Sequence, residues 1–245
     1  MSLPYFLHDR LADVATGDPV TLEGDEARHA VVVRRIRVGE QVALTDGAGT
    51  TVVGPVAASD KSSLTVTAQS VRTEKTELPR VVVVQAIPKG DRGELAVEML
   101  TEVGVDVIVP WAAARSVAVW RGDRAAKSLA KWRATARESA KQARRSWFPE
   151  VTEMATTDDV AARLADASVP VVLHEAASGS IADIPVPGRG EIVVVVGPEG
   201  GLADEELATF AAAGAEPVRL GSSVLRTSTA GVAAVAALLA RSRWR

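Results

Sequence analysis

The spacing of apolar and polar positions changes rhythm once along this chain. Up to Arg72, short apolar runs alternate with turn signals: Gly17-Asp18-Pro19, Val38-Gly39-Glu40, Asp46-Gly47-Ala48-Gly49 and Gly54-Pro55. Between them Gln41–Thr45, Thr50–Val53 and Ser63–Ala68 read as strands, because β-branched side chains suit a pleated surface. Asp25–Arg34 reads as a short helix. Short strands punctuated this way predict a small β-barrel over residues 1–72. The stretch Arg72-Thr-Glu-Lys-Thr-Glu-Leu-Pro79 is polar and ends in proline, so residues 73–79 read as a linker.

From Arg80 the runs are apolar without alternation: Val81–Ala86, Asp106–Val109, Val169–Leu173, Glu191–Val196 and Glu216–Leu220. A strand that is apolar at every position is buried on both faces. Helical stretches separate them: Arg92–Val103, Ala125–Arg145, Thr157–Ala167, Asp204–Ala213 and Thr229–Ser242. Strands alternating with helices predict an α/β domain with a mostly parallel sheet over residues 80–245.

Composition narrows the chemistry. The chain has 245 residues, 47% hydrophobic but only 4% aromatic, so its cores are built from Val, Ala and Leu. No apolar stretch reaches membrane-spanning length, and the start, Met1 to Arg10, meets charge too soon for a signal peptide. A cytoplasmic protein with no membrane partner is expected. The absence of cysteine excludes disulfides, thiolate metal sites and thiol nucleophiles. His8, His29 and His174 are far apart and form no ligand pair, so no metal is expected.

A net charge of −3 conceals segregation. Between Arg121 and Arg145 stand nine basic residues opposed only by Asp123 and Glu138, a local +7 that leaves −10 for the remainder. At 100° per residue, the basic positions from Lys127 to Arg145 fall on one broad arc of a helix. Leu129, Trp132, Ala136, Ala140 and Ala143 fall on a separate narrow stripe. The helix is expected to pack on the small residues and present a cationic face. Such a face is either solvated surface or a polyanion site; its almost pure sign favours the second. A weaker basic cluster, Arg28, Arg34, Arg35 and Arg37, lies in the first part.

Ligands of open α/β sheets bind beyond the carboxyl ends of the strands. Three turns leave such ends: His174-Glu175, Gly197-Pro-Glu-Gly-Gly201, and Gly221-Ser-Ser-Val-Leu-Arg-Thr227. Each one alone reads equally well as a plain turn. Neither GxxxxGK[ST] nor a GxGxxG after a strand is present, which argues against a nucleotide-binding α/β enzyme, and no GxSxG supplies a hydrolase nucleophile.

Together the turns are more specific. Val196-Gly-Pro-Glu-Gly-Gly-Leu202, then Glu205-Glu206, then Leu220-Gly-Ser-Ser-Val-Leu-Arg-Thr-Ser-Thr-Ala230 resemble the SPOUT class of methyltransferases. Within it, the chain is most similar to the small-subunit ribosomal RNA uridine-N3 methyltransferases, the RsmE family. The likeness extends in collinear order to His29, Arg35, Lys89, Glu102-Val-Gly-Val105, Arg115-Ser-Val117, Ala140-Lys-Gln-Ala-Arg-Arg145 and Pro149. It implies an N-terminal PUA-like barrel that grips RNA and a catalytic domain with a C-terminal trefoil knot. It further implies a homodimer, S-adenosyl-L-methionine as cofactor, and 16S ribosomal RNA or the small ribosomal subunit as partner. The cofactor positions it implies are Leu173, His174, Glu175, Val196, Gly197, Pro198, Glu199, Gly200, Leu220, Gly221, Ser223, Val224, Leu225 and Thr227. Many members carry Arg where Ser223 stands, Glu where Ser228 stands and Glu where Lys141 stands, and no Arg precedes Tyr5-Phe6.

Methylation of uracil N3 removes a proton flanked by two carbonyls, so negative charge spreads onto O2 and O4. A fixed cation near those oxygens favours that state. Arg226 is the first catalytic candidate; an ion pair to Glu199 or Glu205 is its alternative role. Glu199 or a water is the candidate proton acceptor. Expected RNA contacts are Arg34, Arg35, Lys89, Arg92, Arg121, Arg124, Lys131, Arg137, Gln142 and Arg145, the last and Gln142 having support of a knot loop as an alternative. Two further readings stand beside this one: a non-catalytic RNA-binding protein, and a methyltransferase of the same class acting on another RNA or on a ribose 2′-hydroxyl.

Overall fold

The unbroken valine runs of the second part become a parallel sheet covered on both faces, and the turn-rich first part becomes a small curled sheet. The computed structural model describes residues 3–245; Met1 and Ser2, which the barrel reading includes, lie outside the described residues. Its internal contacts divide the chain into two units. One is the chain up to Thr76 together with Ala140–Phe148; the other is Glu77–Ser139 with Pro149–Arg245.

In the first unit, β1 (Tyr5–Leu7), β2 (Pro19–Glu23), β3 (Gln41–Thr45), β4 (Thr50–Ser59), β5 (Ser63–Thr67) and β6 (Ser70–Thr73) form a sheet of order β1-β3-β4-β5-β2, with β6 on β4. All pairings are antiparallel except β1 with β3. Phe6, Leu22, Val42, Leu44, Val52, Leu64 and Val66 form its core. The short helix is α1 (Gly24–Arg28), which runs on into a π-helical turn at His29–Val33.

The Gly54-Pro55 turn expected from sequence is overturned: both residues lie inside the ten-residue β4. The strand pairs with β3 up to Pro55 and with β5 from Val56, with a bulge between Val56 and Ala58. Gly54 marks the changeover, where a Cβ would stand 1.8 Å from the Thr67 carbonyl oxygen. Glycine and proline are here the signature of a bent strand, where neighbouring backbone crowds in. The polar stretch from Arg72 likewise begins as strand, with Arg72 opposite Thr51. Its polarity reflects exposure on the sheet, not absence of a partner.

The second unit contains β7 (Arg80–Ala86), α2 (Arg92–Val103), β8 (Val107–Trp111), α3 (Asp123–Gln142, its last three residues counted with the first unit), β9 (Glu150–Val151), α4 (Thr157–Asp166), β10 (Val169–Leu173), β11 (Gly179–Ser180), β12 (Glu191–Val196), α5 (Asp204–Ala212), β13 (Glu216–Arg219) and α6 (Thr227–Leu239). Its seven strands are all parallel, in the order β11-β13-β10-β12-β7-β8-β9. Two cores explain the unbroken apolar runs. Val81, Val83, Val171, Val194 and Val196 join residues of α2, α3 and α6 in one core. Val82, Val84, Val172, Val193 and Val195 join residues of α4 and α5 in the other. Each valine of the VVVV run is thus buried, alternate ones on opposite faces. No helix among the described residues is long and apolar enough to cross a membrane.

The basic helix ends three residues earlier than the sequence pattern indicates. Arg144 adopts φ 55°, the left-handed region, and its N–H and that of Arg145 fold back onto the Lys141 and Ala140 carbonyls. The narrow stripe packs as expected at Leu129, Trp132, Ala136 and Ala140, which are buried, while Ala143, just past the helix end, is half-buried.

Candidate active site

The three strand-end turns meet. Leu173, His174 and Glu175 after β10, Val196, Gly197, Pro198 and Glu199 after β12, and Leu220, Gly221, Ser223, Val224, Leu225, Arg226 and Thr227 before α6 line one cavity of about 370 Å³. The strands order this convergence: β10 lies between β12 and β13, so their carboxyl ends release three adjacent loops. Arg92, Leu202, Arg219 and Ala230 also line the cavity.

Gly200 is the exception among the expected cofactor positions, since it does not line the cavity. It faces the other way: a Cβ there would lie 2.9 Å from the Arg115 carbonyl oxygen and 3.1 Å from Arg115 Cβ. Glycine permits the loop after β8 to press against the turn after β12. Glu206, 4% exposed, ties the same two loops by accepting from the N–H groups of Ala114 (2.8 Å) and Ala203 (2.9 Å). Arg115 adds a hydrogen bond to the Leu202 carbonyl at 3.0 Å.

Glu199 is engaged, but not by Arg226. Its Oε1 accepts from the backbone N–H of Lys89 (3.2 Å) and from Arg92 (3.3 Å). This pairing draws Arg92 into the cavity wall. Arg226 is the exposed N-cap residue of α6 and makes no ion pair among the described residues, so neither Glu199 nor Glu205 occupies its guanidinium. Ser223 is exposed on the cavity rim, whereas Ser228 is buried in the first turn of α6 and does not line the cavity.

Sequence reasoning passed over Gln85. It ends the VVVVQ run of β7, is fully buried, and its Nε2 donates to Thr227 Oγ1 at 3.0 Å. An amide at the carboxyl end of an otherwise aliphatic strand was the available signal.

The basic helix is less uniform than its spacing indicates. Arg121, Arg124 and Lys127 are exposed and make no ion pair among the described residues. Lys131 pairs with Glu94 at 2.9 Å, Arg133 with Glu153 at 2.9 Å and the Val151 carbonyl at 3.0 Å, and Arg137 with Glu138 at 3.8 Å. Lys141 departs most from the cationic-face expectation: its side chain is 5% exposed and its Nζ lies 2.6 Å from Glu26 Oε1. An isolated ammonium is costly to bury, and the carboxylate supplied by α1 is what admits it. Gln142 is exposed and Arg145 partly buried. Arg34, Arg35 and Lys89 are exposed, Arg35 with φ 55° at the end of the π-helical turn.

Comparison with known proteins agrees with this geometry. Residues 75–239 match the model of an RNA methyltransferase domain, and residues 22–69 that of an RNA methyltransferase PUA domain. A Mycobacterium bovis protein named ribosomal RNA small subunit methyltransferase E is 43% identical over 98% of this chain and 92% of its own length. The Bacillus subtilis protein of the same name is 28% identical over 96% and 94%. A crystal structure of ribosomal RNA small subunit methyltransferase E from Neisseria gonorrhoeae bound to S-adenosyl methionine superposes with a TM-score of 0.86, at 28% identity and 98% coverage of both chains. A putative methyltransferase from Legionella pneumophila, also with bound cofactor, gives 0.88 at 28% identity and 99% coverage of both. The knit of three turns around one cavity, the PUA match ahead of it and 43% identity over 98% of the chain place this protein in the ribosomal RNA small subunit methyltransferase E family of RNA methyltransferases.

Proposed function

We propose that the protein transfers a methyl group from S-adenosyl-L-methionine to N3 of one uridine in 16S ribosomal RNA of the small subunit. The observation that carries this reading is the convergence of three strand-end turns on one cavity of about 370 Å³. That volume lies in the range of about 300–1,000 Å³ common to small-molecule sites. Gly197 and Gly221, which have no side chain, let a flat, polar nucleoside approach their backbone, and Pro198 and Leu220 beside them add apolar surface.

The cofactor, held by the turns after β10, β12 and β13, supplies a methyl group already activated by its sulfonium. The chain's own residues supply alignment and charge. Arg226, exposed on the rim, faces the negative charge that gathers on O2 and O4 as N3 loses its proton. Lys89 N–H and Arg92 hold one carboxylate oxygen of Glu199 and no described residue holds the other, which makes it the first acceptor for that proton. The N3–methyl bond forms as the sulfur–methyl bond breaks, and the proton leaves with the acceptor.

RNA is drawn by the exposed cations Arg121, Arg124 and Lys127, with Arg34 and Arg35 serving the PUA-like part. The protein acts as a homodimer: Val224 and Leu225, 78% and 39% exposed on the cavity rim, are apolar surface that a second copy covers. The trefoil knot implied by the family belongs to this same C-terminal region. The site of action is the cytoplasm, and neither a metal nor a membrane takes part.

The test is reaction of the purified protein with small ribosomal subunits and with protein-free 16S RNA, followed by mass mapping of the modified nucleotide. One methyl on uracil N3 supports the reading. Methyl on a ribose 2′-oxygen or on another RNA moves the assignment within the class, and no methylation with normal RNA binding favours a non-catalytic protein.

A further inference from the structure

Gln85 is fully buried at the end of β7, in register with Val196 of β12 and Pro110 of β8. Its Nε2 donates to Thr227 Oγ1 at 3.0 Å and to the Ala86 carbonyl at 3.1 Å, while its Oε1 has no hydrogen-bond partner among the described residues. Thr227 Oγ1 in turn donates to the Gly197 carbonyl at 2.8 Å. Thr227 and Gly197 line the cavity from two different turns; Gln85 does not line it.

An amide is a poor way to fill this space. A buried carbonyl oxygen that no protein group partners costs stability, whereas an apolar side chain of the same shape would not. What the amide adds is direction. A hydroxyl has a single proton and rotates freely. With an N–H of Gln85 aimed at its lone pair, the Thr227 proton must turn away, toward Gly197. The Ala86 carbonyl takes the other N–H, which fixes the orientation of the amide.

We propose that Gln85 is a positioning residue for the methyl-donor pocket. Acting through the Thr227 hydroxyl, it locks the turn before α6 onto the turn after β12 and so sets their separation. The inference rests on the assignment of the cavity to the methyl donor.

The experiment uses the full-length protein, calorimetric titration with S-adenosylhomocysteine, methyl-transfer kinetics and thermal melting. Gln85→Met keeps length and volume but removes both polar atoms. It is expected to melt at or above the wild-type temperature, yet to bind S-adenosylhomocysteine about tenfold more weakly, the worth of one hydrogen bond. KM for the methyl donor should rise while kcat at saturation stays within about threefold. Thr227→Val should weaken binding similarly, Thr227→Ser should bind like wild type, and the Gln85→Met/Thr227→Val pair should be no worse than either single change, because one relay is cut once. Wild-type affinity in Gln85→Met, or additive losses in the pair, overturns the proposal; so does an affinity loss that merely tracks a lowered melting temperature. Should Gln85→Met fail to fold, equal binding by Thr227→Ser and Thr227→Val overturns it, and weak binding by Val alone supports it. Absence of binding in the wild type instead refutes the assignment of the cavity, and this inference with it.

Discussion

Neutralising three residues at the start of the basic helix, as Arg121→Gln/Arg124→Gln/Lys127→Gln, should flatten the salt dependence of RNA binding. The structure selects these three because they are exposed and have no carboxylate partner among the described residues, whereas Lys131, Arg133 and Arg137 are held by Glu94, Glu153 and Glu138. Each phosphate neutralised by a protein cation contributes about 0.7 to the salt slope for single strands and about 0.9 for duplex. Loss of three contacts therefore lowers the slope by about 2–3, which over a fourfold change in salt amounts to about 20- to 40-fold in affinity. The parallel variant Lys131→Gln/Arg133→Gln/Arg137→Gln removes cations that are already compensated, and should lower the slope by less than about 1 by the same arithmetic. Fluorescence anisotropy with a 16S RNA fragment, titrated at several potassium chloride concentrations, reads both slopes. Melting curves establish that the variants are folded. An unchanged slope in the first variant, or equal flattening in the two, would refute the reasoning that free cations at the start of α3 face the RNA.

Lys141→Met should lower stability by about 3 kcal/mol, the low end for breaking a buried pair because Glu26 keeps 24% exposure, and leave the salt slope unchanged. Thermal melting checks it, and restoration of part of the loss by adding Glu26→Gln identifies the stranded carboxylate as the cause. Arg226→Ala should reduce turnover by about 100-fold, as removal of one charge-stabilising group does, with methyl-donor affinity nearly unchanged; a fall in affinity alone rejects its catalytic role. Asp159, the N3 residue of the α4 capping box, has its carboxyl held below the ordinary 3.8 by hydrogen bonds from the Thr156 backbone and side chain. Because the folded-state value is depressed, its contribution is complete at neutral pH and fades only as pH falls below 3.8 toward the folded value. Asp159→Asn should accordingly destabilise the protein at neutral pH and shallow the acid limb of its stability profile; an unaltered acid limb would exclude the box as its source.

Much of the architecture was legible in local pattern. Continuous valine runs announced β7 and β12 because burial on both faces leaves no room for alternation, and Gln41–Thr45, Arg92–Val103, Val169–Leu173 and Glu191–Val196 have the predicted bounds. Single substitutions of rhythm were less informative. Gly54-Pro55 reads as a turn in sequence and lies in mid-strand because the meaning of a glycine depends on what backbone comes near, here Thr67.

The sequence by itself determined most of the longer elements, the parallel class of the large sheet and the turns that bear chemistry, since helical and strand periods and turn residues act between near neighbours; the short strands β1, β2, β6, β9 and β11 carry too few residues for a period to show. Only the tertiary structure decided which groups meet. Lys141 reached Glu26 across 115 positions, Gln85 reached Thr227 across 142, and Arg92, not Arg226, took Glu199 across 107. The energies of such pairs depend on distance and burial, which become defined when the chain is folded. A cationic stripe on a helical wheel therefore becomes free charge at one end and a buried ion pair at the other.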